Sequence, residues 1–203
     1  GVTLLLQFHE EAYDKAQEPV RSELAITAAA SIAYAVQQMG QQIGLISNGR
    51  DAADRIRKQG VAFEASNRQQ ARHVAAMREE SDRLNPLVIE TRRDTDQMLR
   101  IRETLARIEL TDGLTFKQLV SETVSRIPRD ASVLAILPEV DDAVSVSLGN
   151  LKQRGYAVSV ILNLHDDYDF SQVSGRLQAQ GISTYQLKDE SSIPTVCQDY
   201  LIR

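Results

Sequence analysis

Three short polar stretches carry the side chains of this chain that are best suited to chemistry. VTLLLQFHEEAYD, from Val2 to Asp14, passes from apolar residues into Gln7, Phe8, His9, Glu10 and Glu11. LPEVDD supplies Glu139, Asp141 and Asp142, and HDDYD supplies His165 to Asp169. An imidazole flanked by carboxylates can act as a general acid or base. His9 with Glu139 or Asp141 could also hold a divalent ion, since imidazole suits Zn²⁺ and similar metals. Either chemistry would fit a metal-dependent hydrolase. The mechanical parts of common enzymes do not accompany these residues: there is no G-x-S-x-G elbow, no P-loop and no G-x-G-x-x-G turn. The plainer expectation is that the polar groups cap helices, meet solvent or touch a partner, and that HDDYD is a charged surface loop. His73 reads as exposed helix surface. Cys197, near Val196 and Tyr200, has nothing beside it in sequence to activate it and reads as a small packing residue of a terminal helix.

Such groups need elements to position them. Strand-like and helix-like patterns alternate along the chain, which argues for a mostly parallel sheet covered on both faces. Val2 to Phe8 reads as a central first strand, so Gln7 to Glu11 leave its C-terminal end, where parallel α/β sheets collect functional groups. Ile43 to Ser47, Ser132 to Leu137, Tyr156 to Leu162 and Ile182 to Leu187 are further short apolar runs bounded by turn residues. Strands covered on both faces are almost continuously apolar, so Leu4, Leu6, Ile46, Leu134, Ile136, Val158 and Val160 are expected to be buried. Val61 to Ala65 is expected to return as an antiparallel edge. Between the strands, Ser22 is the expected N-cap of an Ala-rich helix ending near Gly40. Asp94 is expected to cap a helix carrying Met98, Ile101, Leu105 and Ile108 and stopped by Gly113. Thr115 to Gln118 fits a capping box, with Pro128 closing the short helix behind it. Val144, Leu148 and Leu151 mark a helix before Gly155, and Ser171 and Gly181 bracket another.

Composition narrows the function classes. At 203 residues the chain suits one domain with a single core. With 23 Lys and Arg against 28 Asp and Glu, its net charge of −5 gives no field that would draw nucleic acid. One cysteine rules out an internal disulfide and suits a reducing, cytoplasmic setting. No apolar run approaches the roughly 20 residues that span a bilayer. Positive charge is concentrated between Arg50 and Arg93, which holds 10 Lys and Arg against 7 Asp and Glu. Asn67 to Leu84 within it fits a helix stopped by Asn85-Pro86. Mixed charge on a helix usually faces water, and the sharper reading is a docking surface built on Arg68, Arg72, Arg78 and Arg83. A start inside a strand, with Gly1 and no Met, leads us to expect a fragment of a longer protein.

RSELAITAAASIAYAVQQMGQQIGLISNG, Arg21 to Gly49, resembles the central block of the bacterial domain of unknown function 58 family. DTDQMLRIRETLARIEL, VLAILPE and LKQRGYAVSVILN follow in the same order, so the resemblance covers most of the chain outside Arg50 to Arg93. It implies a von Willebrand factor A-like domain, a parent chain anchored in a membrane through upstream segments, and association with MoxR-type ATPases of the AAA+ class. Von Willebrand A-like domains often hold Mg²⁺ with a first-strand Asp-x-Ser-x-Ser motif, a Thr and a later Asp as hard oxygen ligands. The positions that correspond here read Gln7, His9, Glu11, Thr115 and Asp141, a degenerate adhesion site for which we expect no metal and no cofactor.

The expectation is therefore a single three-layer α/β domain over residues 1–203, von Willebrand A-like and broadly Rossmann-like, with a charged, helical insertion at 50–93. Its expected role is that of a protein-interaction adaptor working with a MoxR-type ATPase, and not that of an enzyme. Glu10, Asn48, Glu139 and Asp142, together with the basic insertion, are the expected partner-binding residues. Besides the hydrolase, the other alternative is a structural domain that packs on the rest of its parent chain.

Overall fold

The computed structural model describes residues 1–53 and 84–201. Its main sheet is built by β1 (Val2–Leu6), β2 (Ile43–Ser47), β4 (Leu87–Arg92), β6 (Ser132–Leu137), β7 (Val158–Leu162) and β8 (Ser183–Gln186). The spatial order is β4-β2-β1-β6-β7-β8. β1 pairs in parallel with β2 and β6, β6 with β7 and β7 with β8, whereas β4 runs antiparallel beside β2. Two short strands, β3 (Arg50–Asp51) and β5 (Ile108–Glu109), pair separately.

Both faces of the sheet are covered, which is why its inner strands are apolar at nearly every position. Leu4, Leu6, Leu134, Ile136 and Ile161 pack with α1 (Val20–Gln38), α2 (Gln97–Leu105) and α6 (Ile193–Leu201). Leu5, Val133, Ala135 and Val160 point the other way, toward α3 (Phe116–Thr123), α4 (Asp142–Gln153) and α5 (Asp167–Ala179). The period-two alternation thus feeds two cores from one set of strands. All seven residues expected in the core are buried, none more than 7% exposed. Burying a Leu or Ile fully is worth roughly 1.5–3 kcal/mol, so these strands are held by packing as well as by their ladders.

Several element boundaries differ from expectation for identifiable reasons. α1 begins at Val20, and Ser22 lies inside its first turn with its hydroxyl donating to Pro19 O at 3.0 Å. The capping acceptor is the Glu18 carboxylate, which takes the Ser22 N–H at 3.1 Å. α2 begins after Asp96 rather than Asp94, and it ends at Leu105. Ile108, which continues the helical spacing in sequence, instead enters β5 and pairs with Asp51. Gly113 therefore follows a strand. α5 starts at Asp167, four residues before Ser171, because the Asp166 carboxylate accepts from Tyr168 N and Asp169 N at 2.8 and 3.0 Å. HDDYD is accordingly a helix start and not a loop. The expected strand at Val61 to Ala65 and the helix from Asn67 lie outside the described residues. The antiparallel edge that is described, β4, comes from the C-terminal end of the Arg50 to Arg93 segment. β2 approaches it closely: a Cβ on Gly44 would meet Thr91 atoms at 2.4 to 2.7 Å.

Candidate functional site

The C-terminal edge of the parallel strands has two halves. In the first, the chain leaving β1 is stitched to its neighbours through backbone and buried amides. Gln7 N donates to Ile136 O at 3.2 Å, prolonging the β1–β6 ladder. Asn48, directly after β2, accepts from Phe8 N at 2.6 Å and donates to Leu114 O at 2.7 Å. One 1%-exposed amide therefore fixes both the end of β1 and the loop that precedes α3. Gly49 beside it has no room for a side chain, since a Cβ there would meet Ile108 Cγ1 at 2.5 Å. His9 forms an isolated parallel bridge with Thr111, and the N–H of Glu10 donates to Thr111 O at 3.0 Å.

The side chains expected to correspond to an adhesion site have local work. His9 is buried, and its Nδ1 accepts from Glu11 N at 3.3 Å, capping the short 3-10 turn Glu10–Ala12. Glu10 and Glu11 themselves are exposed on that turn. Thr115 and Gln118 form a reciprocal capping box at the start of α3. Asp141 caps α4, its Oδ1 accepting from Val144 N at 2.7 Å. Asp142, the first residue of α4, is exposed. Gln7 is 4% exposed, and its Oε1 has no hydrogen-bond partner among the described residues.

The structure places Asp141 and His9 within electrostatic reach of Glu139. Partial burial raises the Glu139 carboxyl above its ordinary range, Asp141 pushes it further the same way, and His9 opposes both. Tyr13 is buried edge-on to Phe8 at 5.7 Å, with its hydroxyl donating to Gln7 O at 2.9 Å. Burial drives its phenol far above the usual tyrosine value. Arg68, Arg72, Arg78 and Arg83 fall outside the described residues.

This donor set does not fit a Mg²⁺ site. Hard cations need several oxygen ligands, but Gln7, His9 and Glu11 occupy the positions at which the family resemblance would expect an Asp and two Ser, and Thr115 and Asp141 are engaged in caps. Among the described residues no group of three or more His, Cys, Asp and Glu side chains is placed to hold a metal ion.

The second half of the edge lies beyond β7 and β8, and sequence reasoning missed it. An open groove of about 1020 Å³ runs between the start of α1 and the segment Lys188–Ser191, with His165 at its side. Arg21 crosses beneath it: the guanidinium, in a residue 7% exposed, donates to Lys188 O and Leu187 O at 2.9 and 3.0 Å. Burial lowers its pKa. Lys188 is paired with Asp167 at 2.8 Å, an ion pair that holds the Asp167 carboxyl below its ordinary value. The usable sequence signal was the polar run KDESS directly after the strand ending near Leu187, the same kind of strand end that drew attention to His9. Cys197 is half-buried in α6, and burial pushes its thiol up.

The fold and site define a three-layer α/β domain with a polar edge at the C-terminal strand ends. No family model matches the chain, and no curated protein matches it. Solved structures do share its fold. The pilus adhesin SpaC from Lactobacillus rhamnosus GG aligns with a TM-score of 0.61 at 9% identity, over 98% of this chain and 30% of the adhesin. The open conformation of that adhesin aligns at 0.59 and 8%, over 98% and 29%. The chain thus spans less than a third of the adhesin's length. Among the described residues no helix is long and apolar enough to cross a membrane.

Proposed function

We propose that this chain is a von Willebrand A-like interaction domain whose adhesion site has lost its cation ligands, and that it serves as an adaptor for a MoxR-type AAA+ ATPase. One observation carries the reading. The end of β1, the loop before α3 and the end of β6 are the three segments that supply ligands in such domains, and here they meet at one sheet edge. Asn48 joins the first two, and the hydrogen bond from Gln7 N to Ile136 O joins the first and third. The scaffold of the site is kept while its oxygens are turned to capping, which favours recognition of a protein over coordination of a metal. Similarity to part of a pilus adhesin is a likeness of fold and agrees with a binding role for such a scaffold.

On this reading Glu10, Glu139 and Asp142 face the partner from a rigid edge, and the basic residues Arg68, Arg72, Arg78 and Arg83, which lie outside the described residues, contribute to the same interaction. Separated charges of this kind set orientation and association rate more than affinity. The test is the affinity of a MoxR-type ATPase for the wild type, for a Glu139→Gln/Asp142→Asn variant and for a variant lacking residues 67–84. Each variant should bind roughly tenfold more weakly, mainly through slower association. Wild-type affinity in both variants, with circular dichroism unchanged, would remove this edge from the interaction.

A further inference from the structure

The groove between α1 and Lys188–Ser191 has an apolar wall and an imbalance of charge. Val20, on the first turn of α1, is 68% exposed where it lines the groove, the exposed Pro19 extends the apolar surface, and the core residue Leu24 reaches it only at its edge. Both cations at the groove are already engaged, Lys188 by the two carboxylate oxygens of Asp167 and Arg21 by two backbone carbonyls. The carboxylates of Glu23 and Glu190 also line it, and among the described residues neither has a hydrogen bond or ion pair.

A helix N-terminus ordinarily attracts anions through its free N–H groups. Here those donors are in use: Arg21 N donates to Gln17 O, Ser22 N to the Glu18 carboxylate and Glu23 N to Pro19 O. An incoming anion would find few donors and two facing carboxylates. Behind Arg21, Asn163 donates to Arg21 O at 2.8 Å while its own Oδ1, in a residue 2% exposed, accepts from nothing. Acceptors outnumber donors on this side of the edge. The volume lies at the top of the range for small-molecule pockets, roughly 300–1,000 Å³, and the groove is open to solvent, which suits side chains of a peptide better than an enclosed small ligand.

We propose that this groove docks a basic segment of a partner protein, an apolar side chain settling against Val20 and Pro19 while a neighbouring lysine or arginine meets Glu23 and Glu190. The inference rests on the reading of the chain as an interaction domain and adds a second surface with a stated partner chemistry. Exposed carboxylates contribute to such recognition chiefly through selectivity and encounter rate, and salt weakens them.

The experiment is an amide-resolved NMR titration of the whole chain with three short peptides of equal apolar content, bearing lysines, glutamines or glutamates. The lysine peptide should shift Val20, Leu24 and Glu190 saturably and bind about fivefold more tightly than the glutamine peptide, with the glutamate peptide weakest. A Glu23→Gln/Glu190→Gln variant should bind the lysine peptide no better than the glutamine one, and added salt should erase the same difference in the wild type. Equal binding of all three peptides, no saturable shift at the groove, or the same shifts produced by raising the protein concentration alone, as a second copy would cause, overturns the inference. Lysine-peptide shifts confined to Glu10, Glu139 and Asp142 overturn the groove and leave the interaction-domain reading standing. Groove binding as described, with ATPase affinity indifferent to Glu139→Gln/Asp142→Asn, keeps the groove and removes the β1–β6 edge.

Discussion

Asn48 and Glu190 both stand at the C-terminal edge of the sheet, yet they are used in opposite ways. Asn48 is 1% exposed and gives both ends of its amide to backbone groups of Phe8 and Leu114. The carboxylate of Glu190 has no partner among the described residues and faces an open groove. The difference follows from what surrounds each strand end. Beyond β1 and β2, two loops and a helix start crowd together, and Asn48 and His9, buried polar groups among them, are held by backbone partners. Beyond β8 the chain turns along α1 with space between them, so charge can remain solvated. Polar residues at strand ends are therefore a weak guide to recognition until the packing around them is known.

The sharpest way to break this comparison is to remove one group from each half. Asn48→Ala would leave Phe8 N–H and Leu114 C=O without their partner, and we expect a loss of about 2–4 kcal/mol in urea unfolding. Glu190→Gln should change stability by no more than about 0.5 kcal/mol. Similar losses for the two variants would show that the halves do not differ. A smaller effect separates neighbours within the first half. Asp141→Ala removes the cap of α4 and should cost about 1 kcal/mol, whereas Asp142→Ala, one residue on and exposed, should cost less than half of that by the same thermal or urea assay.

The smallest expected effect is one of pH. The folded chain holds the Glu139 proton more tightly than the unfolded chain does, because burial and then Asp141 raise its carboxyl. The stability this contributes is fully present below the ordinary carboxyl value and is lost as pH rises through the raised one. Glu139→Gln has no such proton. Its stability relative to the wild type should therefore increase across that window, by a small amount because the side chain is largely solvated. A difference between the two proteins that is flat with pH, or that moves the opposite way, would contradict this placement of Glu139.

Local signals carried much of the fold. The parallel strands and their buried residues were legible because a strand covered on both faces has to be apolar throughout, and the Thr115 capping box was legible because its partners are three residues apart. Where competing partners were non-local, reading failed. Ile108 extends the helical spacing of Ile101 and Leu105 but is taken by a ladder with Asp51. β4 is an edge strand whose Leu87, Val88 and Ile89 are only half-buried, so it offered little contrast inside a charged run. The groove depends on Arg21 reaching Leu187, 166 positions away, which no local pattern encodes. At the expected adhesion-site positions the capping roles of Thr115 and Asp141 were among the readings the sequence offered, whereas the cap that His9 makes on the Glu10–Ala12 turn emerges only from the placement of that turn.

The claim at the centre of this account is that His9, Thr115 and Asp141, at the edge formed by β1, the α3 loop and β6, are engaged in capping and do not hold a cation. Titration with Mn²⁺, followed through paramagnetic broadening of assigned amides, addresses that claim most directly, because a bound ion would report its position as well as its presence. The expected result is weak, non-saturating broadening scattered over exposed carboxylates, with no concentration at His9, Thr115 and Asp141. Saturable broadening centred on those three residues and abolished by Asp141→Ala would show that the site still binds a hard cation and would contradict the account.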